Sequence, residues 1–451
     1  MPQGSSKSFW IRDAGGYTPN APLGGDLSCD VLVVGGGTAG LSSAWHLRKD
    51  DSSLDVVLLE AEIIGWGASG RNAGALLPDF GPDGAILRRK FGEQRARDMV
   101  QYGKRAFAYA EEIIRSHSLN SEYRRTGHMR VAFDDRWVDP LRRLADLHAE
   151  LNHDSEWLDA AQVQAEFAGN ANFKAALFDP HAALIHPCKH VRELKRLATS
   201  FGVRIYEETP AIYLSEANGD IRVVTPCGII KTRKLVLTTN AYTHLLQGPI
   251  GESLKRDQAP TIARASVTEP LTPEQWNQIG WTRRCGLQSS LILMHVVMPL
   301  TDGRILFNYA YHSGHPRNGQ MEPVISAEAA EDSLEQLRRI FPVLRDVRMS
   351  QTWGGHISTT IDRIPHLGLL AGGRIVYLTG CWGHGQAVNH LHGQTISHLV
   401  REVKSDLTDL WFIQHRKARW PVPPFDHFGK LFVWENYRRL NRRMTRGSIF
   451  E

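Results

Sequence analysis

The stretch VLVVGGGTAG, residues 31–40, decides the fold that the sequence predicts. Its aliphatic start is typical of a buried strand, and the residues after its three glycines have the composition of a helix. Gly35, Gly37 and Gly40 fit the spacing G-x-G-x-x-G. In that pattern the first glycine permits a tight turn, the second lets backbone approach a pyrophosphate, and the third lets the helix pack closely on the strand.

A carboxylate in the next predicted strand strengthens this interpretation. Glu60 follows Gly40 by 20 residues and stands near the end of LDVVLLEAE, residues 54–62. A carboxylate at that place can accept hydrogen bonds from both hydroxyl groups of an adenosine ribose. A helix that begins near Thr38 would present its free N–H groups to phosphate. The unit predicts a dinucleotide site and leaves NAD and FAD equally open.

Two further glycine-rich segments favour FAD over NAD. GWGASGRNAG, residues 65–74, carries few side chains, which suits the close approach of a second part of the ligand, with Arg71 and Asn72 as donors. LTGCWGHGQ, residues 378–386, ends a predicted strand and starts a predicted helix. The N–H groups at that helix start would face the negative charge that develops on a reduced flavin ring. Nicotinamide has no equivalent need.

The composition is that of an ordinary globular chain, long enough for two domains. Of its 451 residues, 42% are hydrophobic, and the formal net charge is +5. Residues 411–451 hold nine Lys or Arg against three Asp or Glu, so the positive excess lies in this basic C-terminal extension. It is interpreted as a solvated helix, or as a contact with an anionic partner or a second subunit. A nucleic-acid enzyme is not expected, because the rest of the chain is nearly neutral.

Other patterns exclude further classes. The longest nearly apolar run, residues 291–300, is too short to span a bilayer, and the first residues show no signal peptide. Five scattered cysteines without a CxxC pair predict a reducing, cytoplasmic location. No HExxH or similar spacing occurs, so no metal site is predicted.

Strand-like segments between residues 263 and 311 interrupt the alternation of strands and helices, which predicts two domains that are discontinuous in sequence. We expect an α/β fold. The predicted FAD-binding domain comprises 1–110, 170–245 and 340–410, the predicted substrate domain comprises 111–169 and 246–339, and the basic extension follows from 411 to 451.

Six ordered blocks carry a resemblance to a known family. They are CDVLVVGGGTAGLSSAWHL, VVLLEAEIIGWGASGRNAGALLP, ALIHPCKHVRELKRLATSFGVRIYEET, KLVLTTNAYT, WGGHISTTIDRIPHLG and GCWGHGQAVNHLHG. Over about residues 9–400 the chain resembles FAD-dependent amine and amino-acid oxidoreductases of the D-amino-acid oxidase superfamily. Among the subgroups it is most similar to gamma-glutamylputrescine oxidase-like proteins, and glycine and sarcosine oxidases look more distant.

The resemblance implies a Rossmann-like FAD domain and a substrate domain with a large antiparallel sheet above the flavin. It implies hydride transfer from a carbon that bears an amine to flavin N5. The resulting imine hydrolyses to a carbonyl compound and an amine or ammonia, and oxygen, reduced to hydrogen peroxide, or another acceptor reoxidises the flavin. Motif and resemblance together indicate cofactor-binding residues Gly35, Gly37, Thr38, Ala39, Gly40, Glu60, Ala61, Gly67, Ala68, Ser69, Arg71, Asn72, Ala73, Gly74, Ala211, Thr239, Asn240, Gly380, Trp382, Gly383, His384, Gly385 and Gln386.

The chain departs from the family pattern at several places. Gly355 stands where sarcosine-oxidase relatives attach the flavin through a cysteine, so FAD is expected to bind non-covalently. The strand that carries an oxygen-assisting lysine in those relatives offers Asn308 and Tyr309 instead, which leaves the electron acceptor open. Ile357 replaces the arginine that grips a carboxylate in glycine oxidases. An amine is therefore favoured over a simple α-amino acid, unless another group such as Arg71 holds the acid.

The candidate catalytic residues are His356, Tyr309, His384 and Arg71, and the candidate substrate-pocket residues are Asn308, Tyr311, Trp353 and Ile357. The histidines are also compatible with structural roles, and the tyrosines and tryptophans with the core. Alternative functions are a flavin dehydrogenase with another acceptor, a flavin monooxygenase, and a non-catalytic FAD-binding protein. The hydroxylase form of a monooxygenase would show a late GD segment, which does not precede GCWGHG.

Overall fold

The computed structural model describes residues 8–168, 173–217, 219–291, 294–312, 325–415, 418–422 and 425–448. In these ranges the strands are β1 Leu27–Val34, β2 Val56–Leu59, β3 Ala75–Leu76, β4 His128–Ala132, β5 Glu156–Leu158, β6 Ala175–Asp179, β7 Ala183–Leu184, β8 Arg204–Tyr206, β9 Tyr213–Ala217, β10 Asp220–Thr225, β11 Gly228–Leu237, β12 Ala259–Thr268, β13 Gly286–Ser289, β14 His295–Pro299, β15 Ile305–His312, β16 Met349–Thr359, β17 His366–Leu370 and β18 Ile375–Thr379. The helices are α1 Phe9–Asp13, α2 Thr38–Asp50, α3 Gly84–Phe91, α4 Glu93–Ser116, α5 Val138–Glu150, α6 Ala160–Glu166, α7 Pro187–Ser200, α8 Gly248–Leu254, α9 Pro273–Ile279, α10 Ala327–Ile340, α11 Gly385–Val400 and α12 Phe425–Thr445.

The first sheet has the order β17-β18-β11-β1-β2-β8, and β1 runs parallel to both β2 and β11. The hairpin of β9 and β10 pairs with the first half of β11, and β18 pairs with its second half. Strand β2, the end of β1 from Val31 to Val34 and the end of β11 from Leu235 to Leu237 are apolar and buried, as expected of parallel strands that are covered on both faces. Helices α2, α7 and α11 pack on one face of this sheet. The predicted strand–glycine–helix unit is confirmed as β1, the glycine loop and α2.

The second sheet has the order β16-β12-β15-β14-β13-β4-β6-β5. All its neighbouring pairs are antiparallel except β13 with β4. The strand-like segments predicted between residues 263 and 311 form β12 to β15 at its centre. One face packs on a core of aromatic and aliphatic side chains that includes Trp281, Phe307 and Phe341. The predicted combination of an α/β layer with a large, mainly antiparallel sheet is confirmed.

The domain limits stay a prediction, and sheet membership departs from them at two strands. Ala175–Asp179 and Met349–Thr359 fall in ranges predicted for the FAD-binding domain, yet both strands pair in the second sheet. The sequence pattern marks each segment as a strand but does not encode its partner, because pairing depends on contacts between distant segments.

The basic C-terminal extension contains the helix Phe425–Thr445. The Arg136 guanidinium donates to the Arg446 carbonyl at 2.7 Å, and the Arg363 guanidinium lies 5.9 Å from the centroid of the Tyr437 ring. The first contact joins the residue after the helix to the segment before α5, and the second places the helix beside the segment between β16 and β17. None of the helices in the described ranges combines the length and the apolar character needed to cross a membrane.

Candidate cofactor and substrate cavity

The glycine loop after β1 is shaped by contacts that leave no room for side chains. Gly35 has a φ of +115°, a backbone conformation that favours glycine, and its N–H donates to the Leu59 carbonyl at 2.8 Å. A Cβ added to Gly40 would lie 1.9 Å from the Gly35 carbonyl oxygen. The third glycine therefore lets α2 start directly against the end of β1, as the sequence predicted.

Glu60 stands at the end of β2, beside this loop. Its Oε2 accepts a hydrogen bond from the Gly36 N–H at 2.7 Å, and its Oε1 accepts one from the Glu62 N–H at 3.0 Å. Burial raises the pKa of Glu60 to about 7, against the effect of these two hydrogen bonds. The carboxylate is thus held at the cavity wall by backbone donors on both sides.

The glycine-rich segment 65–74 is organised by Asn72. Its Nδ2 donates to the Ala68 and Ser69 carbonyls at 3.0 and 3.1 Å, and its Oδ1 accepts from the Gly74 N–H at 2.8 Å. The same Nδ2 donates to Gln386 Oε1 at 2.8 Å. Asn72 therefore connects this loop to the start of α11.

The segment 378–386 carries side chains whose polar atoms are partly unpaired. Gln386 is buried, and its Nε2 has no hydrogen-bond partner among the described residues. His384 precedes the first residue of α11 and has its pKa lowered by burial. The Trp382 indole N–H donates to the Thr360 carbonyl and hydroxyl oxygens at 3.1 and 3.0 Å, which fixes the loop against the residue that follows β16.

These loops and the second sheet enclose one cavity of about 460 Å³. Most of the predicted cofactor-binding residues line it, namely Gly35, Gly37, Thr38, Ala39, Glu60, Ala61, Gly67, Ala68, Ser69, Arg71, Asn72, Ala73, Ala211, Thr239, Asn240, Trp382, Gly383, His384, Gly385 and Gln386. Gly40, Gly74 and Gly380 are not among the lining residues. They act through backbone packing, since a Cβ on Gly380 would lie 2.2 Å from Thr360 Cγ2.

His356 lies on β16 in the wall that the second sheet contributes. It is 2% exposed, and neither ring nitrogen has a hydrogen-bond partner in the described part of the chain. Burial and, to a smaller extent, the neighbouring His244 and Arg71 together lower the pKa of His356 to about 4. The imidazole is therefore neutral at pH 7, with one nitrogen as a donor and the other as an acceptor.

Arg71 lines the cavity and is already engaged with backbone. Its Nε donates to the Trp66 carbonyl at 2.6 Å, its Nη1 donates to the Gly354 carbonyl at 3.1 Å, and its guanidinium lies 4.7 Å from the Trp66 ring centroid. These contacts tie the 65–74 loop to β16. Arg71 is consequently a structural link between this loop and the second sheet.

The predicted substrate-pocket residues separate into three groups. Asn308 and Ile357 line the cavity. Trp353 does not, which corrects its assignment as a pocket wall. It is fully buried, its indole N–H donates to the Arg71 carbonyl at 2.9 Å, and its ring stacks on Phe9. The side chains of Tyr309 and Tyr311 lie outside the described residues, and their roles stay predictions.

Several lining residues of the second sheet were missed by sequence reasoning, among them Ala263, Ala265 and Val296. Three others carry a polar group or a thioether. They are His128 on β4, Gln288 on β13 and Met294 just before β14. No motif surrounds them, and only the alternation of the strands carried a signal. Their position depends on strand pairing over long separations, which a local pattern does not specify.

A group of donor atoms lies outside the cavity. His366 Nε2 is 3.0 Å from Asp362 Oδ1, and His415 Nε2 is 3.0 Å from Asp362 Oδ2. Such a set of one carboxylate and two imidazoles could hold a metal ion, as could Asp13, Glu122 and His186. Sequence spacing had predicted no metal site, because His415 is distant in the chain from Asp362.

The cavity residues fit FAD. The helices α2 and α11 both begin at its wall, so two sets of N–H groups face one elongated ligand. Glu60 supplies an acceptor at the first end, and the unpartnered Nε2 of Gln386 supplies a buried donor near the second. Fold and site together define a dinucleotide-binding oxidoreductase of the flavoprotein class.

Comparison with known families agrees with that class. The model of the DAO family, described as FAD dependent oxidoreductase, matches residues 30–399. The chain belongs to this family of FAD-dependent oxidoreductases, and FAD is its cofactor. Non-covalent binding is typical of the family, in line with the glycine at position 355.

Individual relatives are similar to this chain over most of its length. The chain is 28% identical over 398 residues to gamma-glutamylputrescine oxidoreductase of Escherichia coli K12, covering 88% of this chain and 89% of the relative. Its fold is similar to that of glycine oxidase from Geobacillus kaustophilus, with a TM-score of 0.71, 18% identity and coverage of 86% and 100% of the two chains. L-proline dehydrogenase from P. horikoshii gives a TM-score of 0.71, 19% identity and coverage of 86% and 97%.

Proposed function

We propose that the protein oxidises a CH–NH bond of a small amine or amino acid, giving an imine that hydrolyses to a carbonyl compound and an amine or ammonia. When bound, FAD supplies the two-electron acceptor for the hydride. The observation that carries the proposal is the buried His356 imidazole, which lines the cavity without a hydrogen-bond partner in the described residues.

His356 suits the binding of a neutral amine. Because its pKa is lowered to about 4, the ring carries no charge at pH 7 and can accept a hydrogen bond from an amine N–H. It would orient the nitrogen and disfavour its protonated form, since a cation would be desolvated there. A strong base is not needed when the amine binds in its neutral form.

The charges of the lining favour an amine over an α-amino acid. Among the described lining residues, the charged side chains are Glu60, Glu62 and Arg71. The two glutamates stand at the β2 end of the cavity, and Arg71 donates to the Trp66 and Gly354 carbonyls. The wall formed by the second sheet offers neutral amides and imidazoles, and its described lining residues include no Lys or Arg as a counter-charge for a carboxylate.

The names of the relatives support a nitrogen-containing substrate. Gamma-glutamylputrescine oxidoreductase, glycine oxidase and L-proline dehydrogenase are each named after a compound that carries an amine nitrogen. Oxygen, reduced to hydrogen peroxide, is the proposed electron acceptor. A different acceptor is the second candidate, because one of the similar structures is named as a dehydrogenase.

One experiment on the purified, FAD-loaded protein tests the function. Under anaerobic conditions, polyamines, N-methyl amines and amino acids are added singly, and the absorbance of the oxidised flavin is followed. Bleaching by an amine is expected, and peroxide formed in air identifies oxygen as the acceptor. Bleaching with NAD(P)H alone would instead indicate a monooxygenase, and no bleaching by any donor would indicate a non-catalytic FAD-binding protein.

A further inference from the structure

One row of residues crosses four neighbouring strands of the second sheet and faces the cavity. Ala265 pairs with Asn308, Asn308 with Val296, and Val296 with Gln288. All four line the cavity. Because directly opposite residues project to the same face of a sheet, they form one continuous strip that ends in the amide of Gln288.

His128 continues this strip on the next strand. Its backbone pairs with Gly286, and a Cβ on Gly286 would lie 2.4 Å from His128 Nδ1. The glycine therefore provides the space in which the imidazole lies over β13. His128 is 7% exposed and lines the cavity. Neither of its nitrogens makes a hydrogen bond within 3.5 Å in the described ranges.

The polar groups of the strip are only weakly satisfied within the protein. Gln288 Nε2 donates to the thioether sulfur of Met294 at 2.9 Å, and a thioether is a weak acceptor. The Gln288 amide is also the polar neighbour of the His128 ring. Buried amides and imidazoles are normally well paired, whereas the His128 nitrogens and the Gln288 amide are left without a strong partner among the described residues.

The strip carries no net charge of its own. Burial lowers the pKa of His128 to about 4, with further effects of Asp79, Arg130 and Asp179, so its ring is neutral at pH 7. The nearby Arg130 is ion-paired with Asp83 at 2.8 Å. A full charge on a ligand would be desolvated here without a counter-charge, whereas a neutral donor and acceptor would be matched.

We propose that His128, Gln288 and Asn308 form a subsite for a neutral hydrogen-bonding group of the substrate, such as a carboxamide or a hydroxyl, at the end distant from the oxidised carbon. Ala263 and Ala265 are the small lining residues beside it, and they leave space for an alkyl chain between the two ends. The inference rests on the proposed amine oxidation, because it concerns the same cavity.

A series of amines with one chain length and different ends tests the subsite. Hexylamine, 6-amino-1-hexanol, 6-aminohexanamide, 6-aminohexanoate and 1,6-diaminohexane are titrated anaerobically into the FAD-loaded protein. Dissociation constants come from the perturbation of the flavin spectrum, and reduction rates come from its bleaching. The amide and the alcohol should bind at least about tenfold more tightly than hexylamine and both charged compounds.

Two substitutions then locate the effect. Gln288→Leu should remove the preference for the amide, so that the ratio of the dissociation constants of hexylamine and 6-aminohexanamide falls to about one. Gln288→Glu should instead favour 1,6-diaminohexane by about tenfold, because its new carboxylate can pair with the distant ammonium. Gln94→Leu, an equivalent change on the exposed face of α4, is the matched control.

The outcomes separate the two proposals. The subsite is overturned if wild type shows no preference among the five amines, or if Gln288→Leu keeps the preference for the amide. If the protein binds the amide selectively but no amine bleaches the flavin, the subsite proposal stands and the proposed amine oxidation is refuted. Retained FAD absorbance and an unchanged unfolding temperature show that each variant is folded.

Discussion

The amide of Asn72 donates a hydrogen bond to Gln386 Oε1 at 2.8 Å and so joins two glycine-rich segments that are 314 residues apart in the chain. Each segment borders the cavity beside the start of a helix, α2 for the first and α11 for the second. The hydrogen bond therefore fixes the relative position of two helix ends that would hold one cofactor.

This bond should be measurable as a coupling in FAD affinity. Asn72→Ala and Gln386→Ala are each expected to weaken FAD binding by about tenfold, since one hydrogen bond and its loop order are lost. The double variant should lose less than the product of the two effects, because both changes remove the same bond. Fluorescence titration of the FAD-free protein measures the constants, with Gln94→Ala as the control. Strictly multiplicative losses would show that the two residues act independently.

The close packing at Gly40 should contribute to the stability of the protein. Gly40→Ala places a methyl group where the Gly35 carbonyl oxygen is 1.9 Å away, so α2 must move from β1. The free energy of unfolding should fall by about 1–3 kcal/mol in urea denaturation. Gly24→Ala is the matched control, because a Cβ there meets no atom within 4 Å. Equal denaturation midpoints for the two variants would contradict the packing argument.

The parts of the site that could be predicted from sequence are those encoded locally. The glycine spacing and Glu60 depend on one strand–loop–helix–strand unit, whose residues are close in the chain. The 378–386 segment was recognised for the same reason. Sequence patterns assign both Asn72 and Gln386 to the cofactor but do not predict the hydrogen bond between them. A contact between residues so distant in the chain has no local sequence pattern.

In the second sheet, local sequence patterns do not predict which side chains line the cavity. The sequence predicts Trp353, beside two glycines, as part of the pocket wall. In the structure its indole N–H donates a hydrogen bond to the Arg71 carbonyl in the core. His128 and Gln288 reach the cavity through the register of β4, β13 and β14, which is set by long-range pairing. A period-two alternation gives the two faces of a strand but not which face meets a ligand.

His356 should affect flavin reduction more than folding. His356→Leu removes the neutral donor and acceptor and should slow anaerobic bleaching by an amine by about 10–100-fold, whereas His356→Gln should retain part of the rate. Because its pKa is lowered to about 4, the rate should show no break from this residue between pH 5 and 8. His181→Leu, which does not line the cavity, is the control. A wild-type rate in His356→Leu would remove His356 from the site.

Asp362 should stabilise the attachment of residues 411–415. Burial opposes its ionisation, but hydrogen bonds from His366 and His415 outweigh this effect and hold the pKa of Asp362 well below its ordinary value. A lowered carboxyl pKa adds stability above the unfolded value, near 4, and this stability is lost as pH falls further. Asp362→Asn should reduce the unfolding free energy by about 3 kcal/mol at pH 7, and by less at pH 3.

Urea denaturation at both pH values measures this difference, and Asp409→Asn, an exposed residue of the same region, is the control. A deficit of Asp362→Asn that stays constant between pH 7 and pH 3 would contradict the assignment of the stabilisation to the ionised carboxylate.

Glu60 should make FAD binding depend on pH. Because burial raises the pKa of Glu60 to about 7, the FAD-free protein holds this group protonated below neutral pH and ionised above it. The raised pKa adds stability to the FAD-free fold at acidic pH, and that contribution is lost as pH rises through 7. Ribose hydroxyl groups donate to the ionised form, so FAD affinity should rise by about tenfold between pH 5.5 and pH 8 and then level off.

The substitution Glu60→Gln should make FAD affinity nearly independent of pH, since an amide keeps an acceptor but does not titrate in this range. Glu274→Gln, on the exposed side of α9, should keep the wild-type dependence. Equilibrium titrations of the FAD-free protein at four pH values measure the slope. If FAD affinity depends on pH in Glu60→Gln as it does in the wild type, another group is responsible for the titration. Ionisation of Glu60 then does not control FAD binding.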